Sequence, residues 1–182
     1  MKSIASAPGK IILFGEHFVV HGTPAILAAI DKRVTVTSTF TDNNTIKINS
    51  ELGTLEVPIS SSYEETKSEF RPFVYLANKM INSNQNVNGL EITIDSDIPV
   101  GVGLGSSSAC CVAAAASIYG LFKELSSEEI LKMSIEAEKT IFPDTSGADC
   151  TVCIYGGMIE YPNIEKIDST FDLNLLIANS MI

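Results

Sequence analysis

Between residues 33 and 40 Val34, Val36 and Ser38 alternate with Thr35, Thr37 and Thr39, the period of a strand with one face buried. Small and β-branched residues from 25 to 30 predict a second strand, joined to the first by a turn at Asp31-Lys32. Upstream, residues 3–7 and 11–14 read as two strands around a Pro8-Gly9 turn, which puts Lys10 at the start of the second. Residues 45–49 and 54–57 predict a hairpin, with turns at Asp42-Asn43-Asn44 and at Gly53. The period then changes. Phe70, Phe73, Val74, Leu76, Ala77, Met80 and Ile81 recur at helical spacing and predict a helix over the sheet.

The second half alternates strands and helices. Residues 90–94 predict a strand and the Ala-rich run 109–119 a helix, while Ser126-Ser127-Glu128-Glu129 predicts a capped helix carrying Ile130, Leu131, Met133, Ile135 and Ala137. A short apolar helix over 148–155 follows the loop Phe142-Pro143-Asp144-Thr145-Ser146-Gly147, and strands are expected at 158–161 and 172–179. These elements predict an α+β fold in which a mixed or antiparallel sheet is covered by helices.

Between the strand at 90–94 and the Ala-rich helix lies Pro99-Val100-Gly101-Val102-Gly103-Leu104-Gly105-Ser106-Ser107-Ser108-Ala109. Strand, glycine loop and helix in that order make an anion site. Gly101, Gly103 and Gly105 admit positive φ and leave peptide N–H groups uncovered, while the helix start aims its free N–H groups and positive dipole end at the same point. Phosphate is the natural occupant. The three serines are expected to cap the helix, and one hydroxyl can turn toward a metal held by the phosphates.

Composition narrows the class. With 182 residues, 45% of them hydrophobic and 19% charged, the chain suits one globular domain, or one and the start of another. No run of 18 apolar residues suggests a membrane span and no secretory signal is visible, so the expectation is a cytoplasmic protein. A net charge of −10 with no basic block argues against nucleic acid as a partner. An acidic chain that binds polyphosphate must rely on backbone donors, a few lysines and a divalent cation.

Several polar residues stand against apolar runs. Lys10 opens one strand, and Glu16-His17 closes it. Asp149 is the one charge in its short helix, for which Lys10 is a candidate partner. Glu138, near the end of the preceding helix, is either a solvent-facing carboxylate or a metal ligand. Cys150 and Cys153 have the spacing of a redox or zinc pair, with Cys110 and Cys111 as further thiols, but their Ala- and Val-rich helices favour packing as small buried hydrophobes.

Ala7-Pro8-Gly9-Lys10-Ile11-Ile12-Leu13-Phe14-Gly15-Glu16-His17 with Val19-Val20-His21-Gly22, the glycine loop, and Thr145-Ser146-Gly147-Ala148-Asp149 together resemble the mevalonate kinase family of the GHMP kinase superfamily. The resemblance implies an α+β N-terminal domain with a left-handed βαβ unit, residues 1–170 as that ATP-binding domain, and 171–182 as the start of a truncated C-terminal one. It implies ATP- and magnesium-dependent phosphorylation of mevalonate in isoprenoid biosynthesis, with a homodimer at full length. Carried over by position, Asp149 is the catalytic carboxylate and Lys10 its partner near the substrate hydroxyl. Glu16 and His17 fall on the mevalonate side, Ser107 and Glu138 on magnesium, and Pro99, Gly101, Gly103, Leu104, Gly105, Ser106, Ser107 and Ser108 on the nucleotide's phosphates. Two departures stand out: Phe142-Pro143-Asp144 replaces a His/Gly-rich approach to Ser-Gly, and Cys150 stands where Asn or Pro is common. The alternatives are a diphosphomevalonate decarboxylase-like relative and a non-catalytic nucleotide-binding module. The chain is expected to be an incomplete half with weak activity alone.

Overall fold

The computed structural model describes residues 1–16, 21–84, 87–168 and 176–177. Two long strands form its spine, β1 (Lys2–Phe14) and β2 (Ala25–Phe40), paired antiparallel along their length. Each was expected to be two strands broken by a turn. Instead the ladder runs on through a bulge: Pro8 faces Arg33 and Gly9 faces Ile30, so Asp31 and Lys32 are the extra residues on β2. A bulge is one of the few places where a sheet tolerates proline, and it absorbs the turn-forming residues without reversing the chain.

The far side of β2 is shared. Residues 34–40 pair with β5 (Leu90–Ser96), and residues 25–28 pair with β6 (Met158–Tyr161), both antiparallel. Beyond β5, β3 (Thr45–Ser50) runs parallel to it and carries β4 (Gly53–Pro58) as the predicted hairpin, while β7 (Glu165–Lys166) extends β6. Among the described residues the result is a mixed seven-stranded sheet. The strand expected over 172–179 lies largely outside the described residues.

Among the described residues four α-helices lie over this sheet: α1 (Arg71–Ser83), α2 (Ser106–Tyr119) and α4 (Ala148–Tyr155) touch its strands, and α3 (Ser127–Glu138) packs on those three helices. The alternation seen in the sequence sorts the two faces. Val34, Val36, Ile46, Ile48, Leu90 and Ile92 are buried under the helices, whereas Thr35, Thr37, Lys47 and Glu91 lie on the opposite face and keep some exposure. The helix α2 is apolar and small on all sides because it lies on β1 and β2 and is flanked by α1, α3 and α4. Two of its serines, Ser108 and Ser117, are buried, and Ser117 lies deepest, against the sheet. The Ser117 hydroxyl sits 2.8 Å from that of Ser38 and 3.0 Å from the Ser3 carbonyl, which explains a serine at a buried strand position.

The capping box at the start of α3 is present, with Ser126 and Glu129 bonded reciprocally. The three serines at the start of α2 do not cap it. Gly105 occupies that position at φ 73°, and the serines fall in the first turn. Between α1 and α3, Glu136 accepts hydrogen bonds from the Lys79 ammonium and, at 3.1 Å, from the Tyr75 hydroxyl. Burial raises the Glu136 carboxyl, but these two donors outweigh it and hold its pKa below the ordinary 4.5.

A carboxyl held down in the folded state stabilises it fully above its unfolded pKa and loses that contribution as pH falls through the lower folded value. The fold should therefore weaken below about pH 4.5 in part through Glu136. Thermal unfolding of Glu136→Gln and wild type from pH 7 to pH 3 tests this: the gap between their midpoints should narrow as the pH drops.

Candidate active site

Lys10 lies in the middle of β1 just past the bulge, with its side chain only 7% exposed. A buried ammonium needs a counter-charge, and Asp149 supplies it with Oδ2 2.8 Å from Nζ. Asp149 is the second residue of α4, and its side chain remains 31% exposed. One partner is locked and the other faces open space.

The glycine loop is anchored to the same strand. The Lys10 N–H donates to the Leu104 carbonyl at 2.9 Å, which closes the loop onto β1 at the residue bearing the ammonium. Gly105 follows in the left-handed region, and a Cβ there would stand 2.6 Å from Lys10 Cγ. Glycine is required twice over, by the backbone and by the lysine stem lying against it. From that point α2 begins, without a side-chain cap. Its first N–H groups are therefore free for a ligand, which suits an anion better than a serine-capped start does.

Glu138 ends α3 and is 3% exposed. Its carboxylate is held at both oxygens: Oε1 accepts from the Ser108 hydroxyl, Oε2 accepts from Thr145 Oγ1 at 2.6 Å, and Cys150 Sγ stands 3.7 Å from Oε2. The side chain is thus neither solvent-facing nor loose. The neighbouring loop turns into α4 at Gly147, where a Cβ would meet Ile135 Cδ1 at 2.6 Å, so α3 and the start of α4 lie in close contact.

These parts line one cavity of about 750 Å³, with Lys10, Asp149, Glu138 and the loop from Pro99 to Ser108 all among its lining residues. Leu52, Phe73 and Phe142 line an apolar part of it. The structure brings together every predicted loop residue, both members of the predicted ion pair and the predicted carboxylate. It does not bring Glu16 there: that residue is exposed beyond the end of β1 and outside the cavity lining. His17 lies outside the described residues. Ser107 lines the cavity, while its neighbour Ser108 makes the bond to Glu138. The roles of Thr145 and Cys150 at Glu138 had no signal in the chain, because the contacts span seven and twelve residues across a loop.

The donor set fits a hard cation. Glu138 Oε1 retains a lone pair after accepting from Ser108, and Ser107 lines the same cavity. Among the described residues no three His, Cys, Asp or Glu side chains cluster as a closed metal cage. One carboxylate, with the remaining ligands from phosphates and water, is the habit of magnesium.

The cysteines pack, as expected. All four are free thiols; Cys111, Cys150 and Cys153 are buried. Burial pushes the Cys110 thiol up to about 12 against an opposing hydrogen bond from Ser106, and burial raises the other three as well. They are poor nucleophiles at neutral pH.

Residues 72–157 match the family described as GHMP kinases N terminal domain. The chain is 40% identical to the mevalonate kinase of Thermococcus onnurineus over 88% of its own length and 52% of the relative's, and 41% identical to that of Pyrococcus furiosus with the same coverage. It spans about half the length of these relatives. Among solved structures, the Methanococcus jannaschii mevalonate kinase superposes with a TM-score of 0.78 at 30% identity, covering 93% of this chain and 56% of that one. The L. major mevalonate kinase in complex with R-mevalonate gives 0.64 at 25% identity, over 88% and 48%.

Gly105→Ala should cost about 1–2 kcal/mol from its left-handed backbone alone. It should also displace the Lys10 stem and weaken nucleotide binding. Calorimetric titration with ADP, beside a thermal melt, checks both: a variant that binds as tightly as wild type contradicts the assignment of the loop.

Proposed function

We propose that this chain, whose residues 72–157 match the GHMP kinase N-terminal domain, is the nucleotide-binding part of a mevalonate kinase, transferring the γ-phosphoryl group of ATP to the primary hydroxyl of mevalonate. The observation that carries this reading is the Lys10–Asp149 pair placed in one cavity with the free start of α2. Phosphoryl transfer needs positioning and charge stabilisation around a loose transition state more than it needs covalent chemistry. This cavity offers both.

In this reading the N–H groups of residues 101–108 and the start of α2 hold the phosphates, and the apolar part of the cavity takes the base. Ser107 and Glu138 would hold magnesium, which would supply charge neutralisation for the nucleotide's phosphates. The acceptor oxygen attacks the γ-phosphorus, its bond to phosphorus forms as the bond to the ADP oxygen breaks, and its proton passes to Asp149. Lys10 orients Asp149 and stabilises negative charge near the attacking oxygen. Glu16 and His17 serve the mevalonate side, by position in the motif alone.

On the same reading residues 1–170 are the nucleotide-binding domain of a protein about twice as long, consistent with the span of its relatives. The enzyme works in the cytoplasm and, at full length, as a homodimer. Its partners are small molecules. No helix among the described residues is long and apolar enough to cross a membrane.

The experiment is ADP release by the full-length protein with and without mevalonate. Mevalonate should drive it, and Asp149→Asn should lower turnover by about 10²–10⁴-fold while leaving ADP affinity near wild type. Turnover unchanged in Asp149→Asn, or ADP release indifferent to mevalonate, overturns the reading.

A further inference from the structure

Glu138 is held by a residue that belongs to neither the glycine loop nor the ion pair. Thr145 Oγ1 donates to Glu138 Oε2 at 2.6 Å and accepts the Gly147 N–H at 3.3 Å. A hydroxyl has one proton to give, so the amide bond from behind leaves that proton aimed at the carboxylate. The next hydroxyl is used differently: Ser146 Oγ accepts from the Ala148 N–H at 3.3 Å and makes no bond to Glu138. Thr145 therefore links the end of α3 to Gly147, the residue that precedes the helix bearing Asp149.

Glu138 needs such a link. A carboxylate at the last residue of a helix stands at the negative dipole end, with no cation bonded to it among the described residues. Left to itself it would turn toward water. Three partners oppose that, and two of them, Thr145 and Cys150, come from the stretch around the start of α4. Cys150 is a weak donor at 3.7 Å, so Thr145 is the stronger of those two.

We propose that Thr145 is a positioning residue for the metal site: its hydroxyl fixes the Glu138 carboxylate in the orientation that receives a divalent cation, and it does so from a loop whose own position is set by α4. The proposal rests on Glu138 acting as a metal ligand. Hydrogen bonds to a ligating group commonly govern metal affinity by about 10–100-fold. Thr145 is half-buried on a loop, so removing its hydroxyl leaves the core intact.

The test is Mn²⁺ binding to the full-length protein with ADP, followed by electron paramagnetic resonance, in wild type, Thr145→Val, Thr145→Ser and Glu138→Gln. Thr145→Val should weaken Mn²⁺ binding by about 10-fold. Affinity for ADP without metal should stay unchanged, and Thr145→Ser should restore wild-type Mn²⁺ binding. Wild-type affinity in Thr145→Val overturns the proposal while leaving Glu138 as a ligand if Glu138→Gln still binds poorly. If Glu138→Gln binds Mn²⁺ as well as wild type, the ligand assignment falls and the proposal falls with it. Should Thr145→Val not fold, Thr145→Ala is read in its place, and failure of both to fold overturns the proposal in favour of a purely structural role.

Discussion

The ion pair between Lys10 and Asp149 is the constraint around which the site is arranged. Burying an ammonium in the middle of a strand is costly, and the pair recovers that cost only if α4 delivers a carboxylate to within bonding distance of β1. Much of the local architecture serves that delivery. The Gly147 contact with Ile135 lets α4 start close to α3, and the pairing of β6 with β2 brings the chain after α4 back onto the same sheet. The asymmetry in exposure then gives the pair its use. Lys10 is enclosed and acts as a fixed charge, while Asp149 faces the cavity and is free to meet a ligand.

The glycine loop depends on the same lysine from the other side. Its return onto β1 is fixed by the Lys10 N–H, and its last glycine is pressed on the Lys10 stem. On the proposed function, an anion at the start of α2 and a reacting group at Asp149 would thereby be referenced to one residue. Preorganisation of that kind costs nothing at the moment of reaction, because the donors are already aimed. The bulge that β1 and β2 share lies directly beside Lys10, so the strands' main irregularity sits where the loop and the ion pair meet.

Much of this was legible in the chain. Strict alternation over 33–40 and helical spacing over 70–81 gave the sheet and its first covering helix because each pattern has one physical reading. Asp149 was legible as the single charge in an apolar helix. The joins were harder. Pro8-Gly9 and Asp31-Lys32 carry turn chemistry, yet they form a bulge, since a bulge and a turn draw on the same residues and only the partner strand decides between them. The serines after Gly105 resemble a cap, but the left-handed glycine takes the cap position and leaves them inside the helix. The burial of Glu138 could not be read from position, because its donors come from residues 108, 145 and 150, brought together only by the packing of α2, α3 and α4.

On the proposed function, one cavity binds the phosphates at the start of α2 and presents the acceptor hydroxyl to Asp149. A crystal structure of the full-length protein with mevalonate and a non-hydrolysable ATP analogue tests it most directly. The terminal phosphates should lie on the backbone N–H groups of residues 101–108, with the mevalonate hydroxyl oxygen within hydrogen-bond reach of Asp149, about 2.6–3.2 Å. Phosphates seated away from that loop, or an acceptor hydroxyl on the far side of the cavity from Asp149, would contradict it.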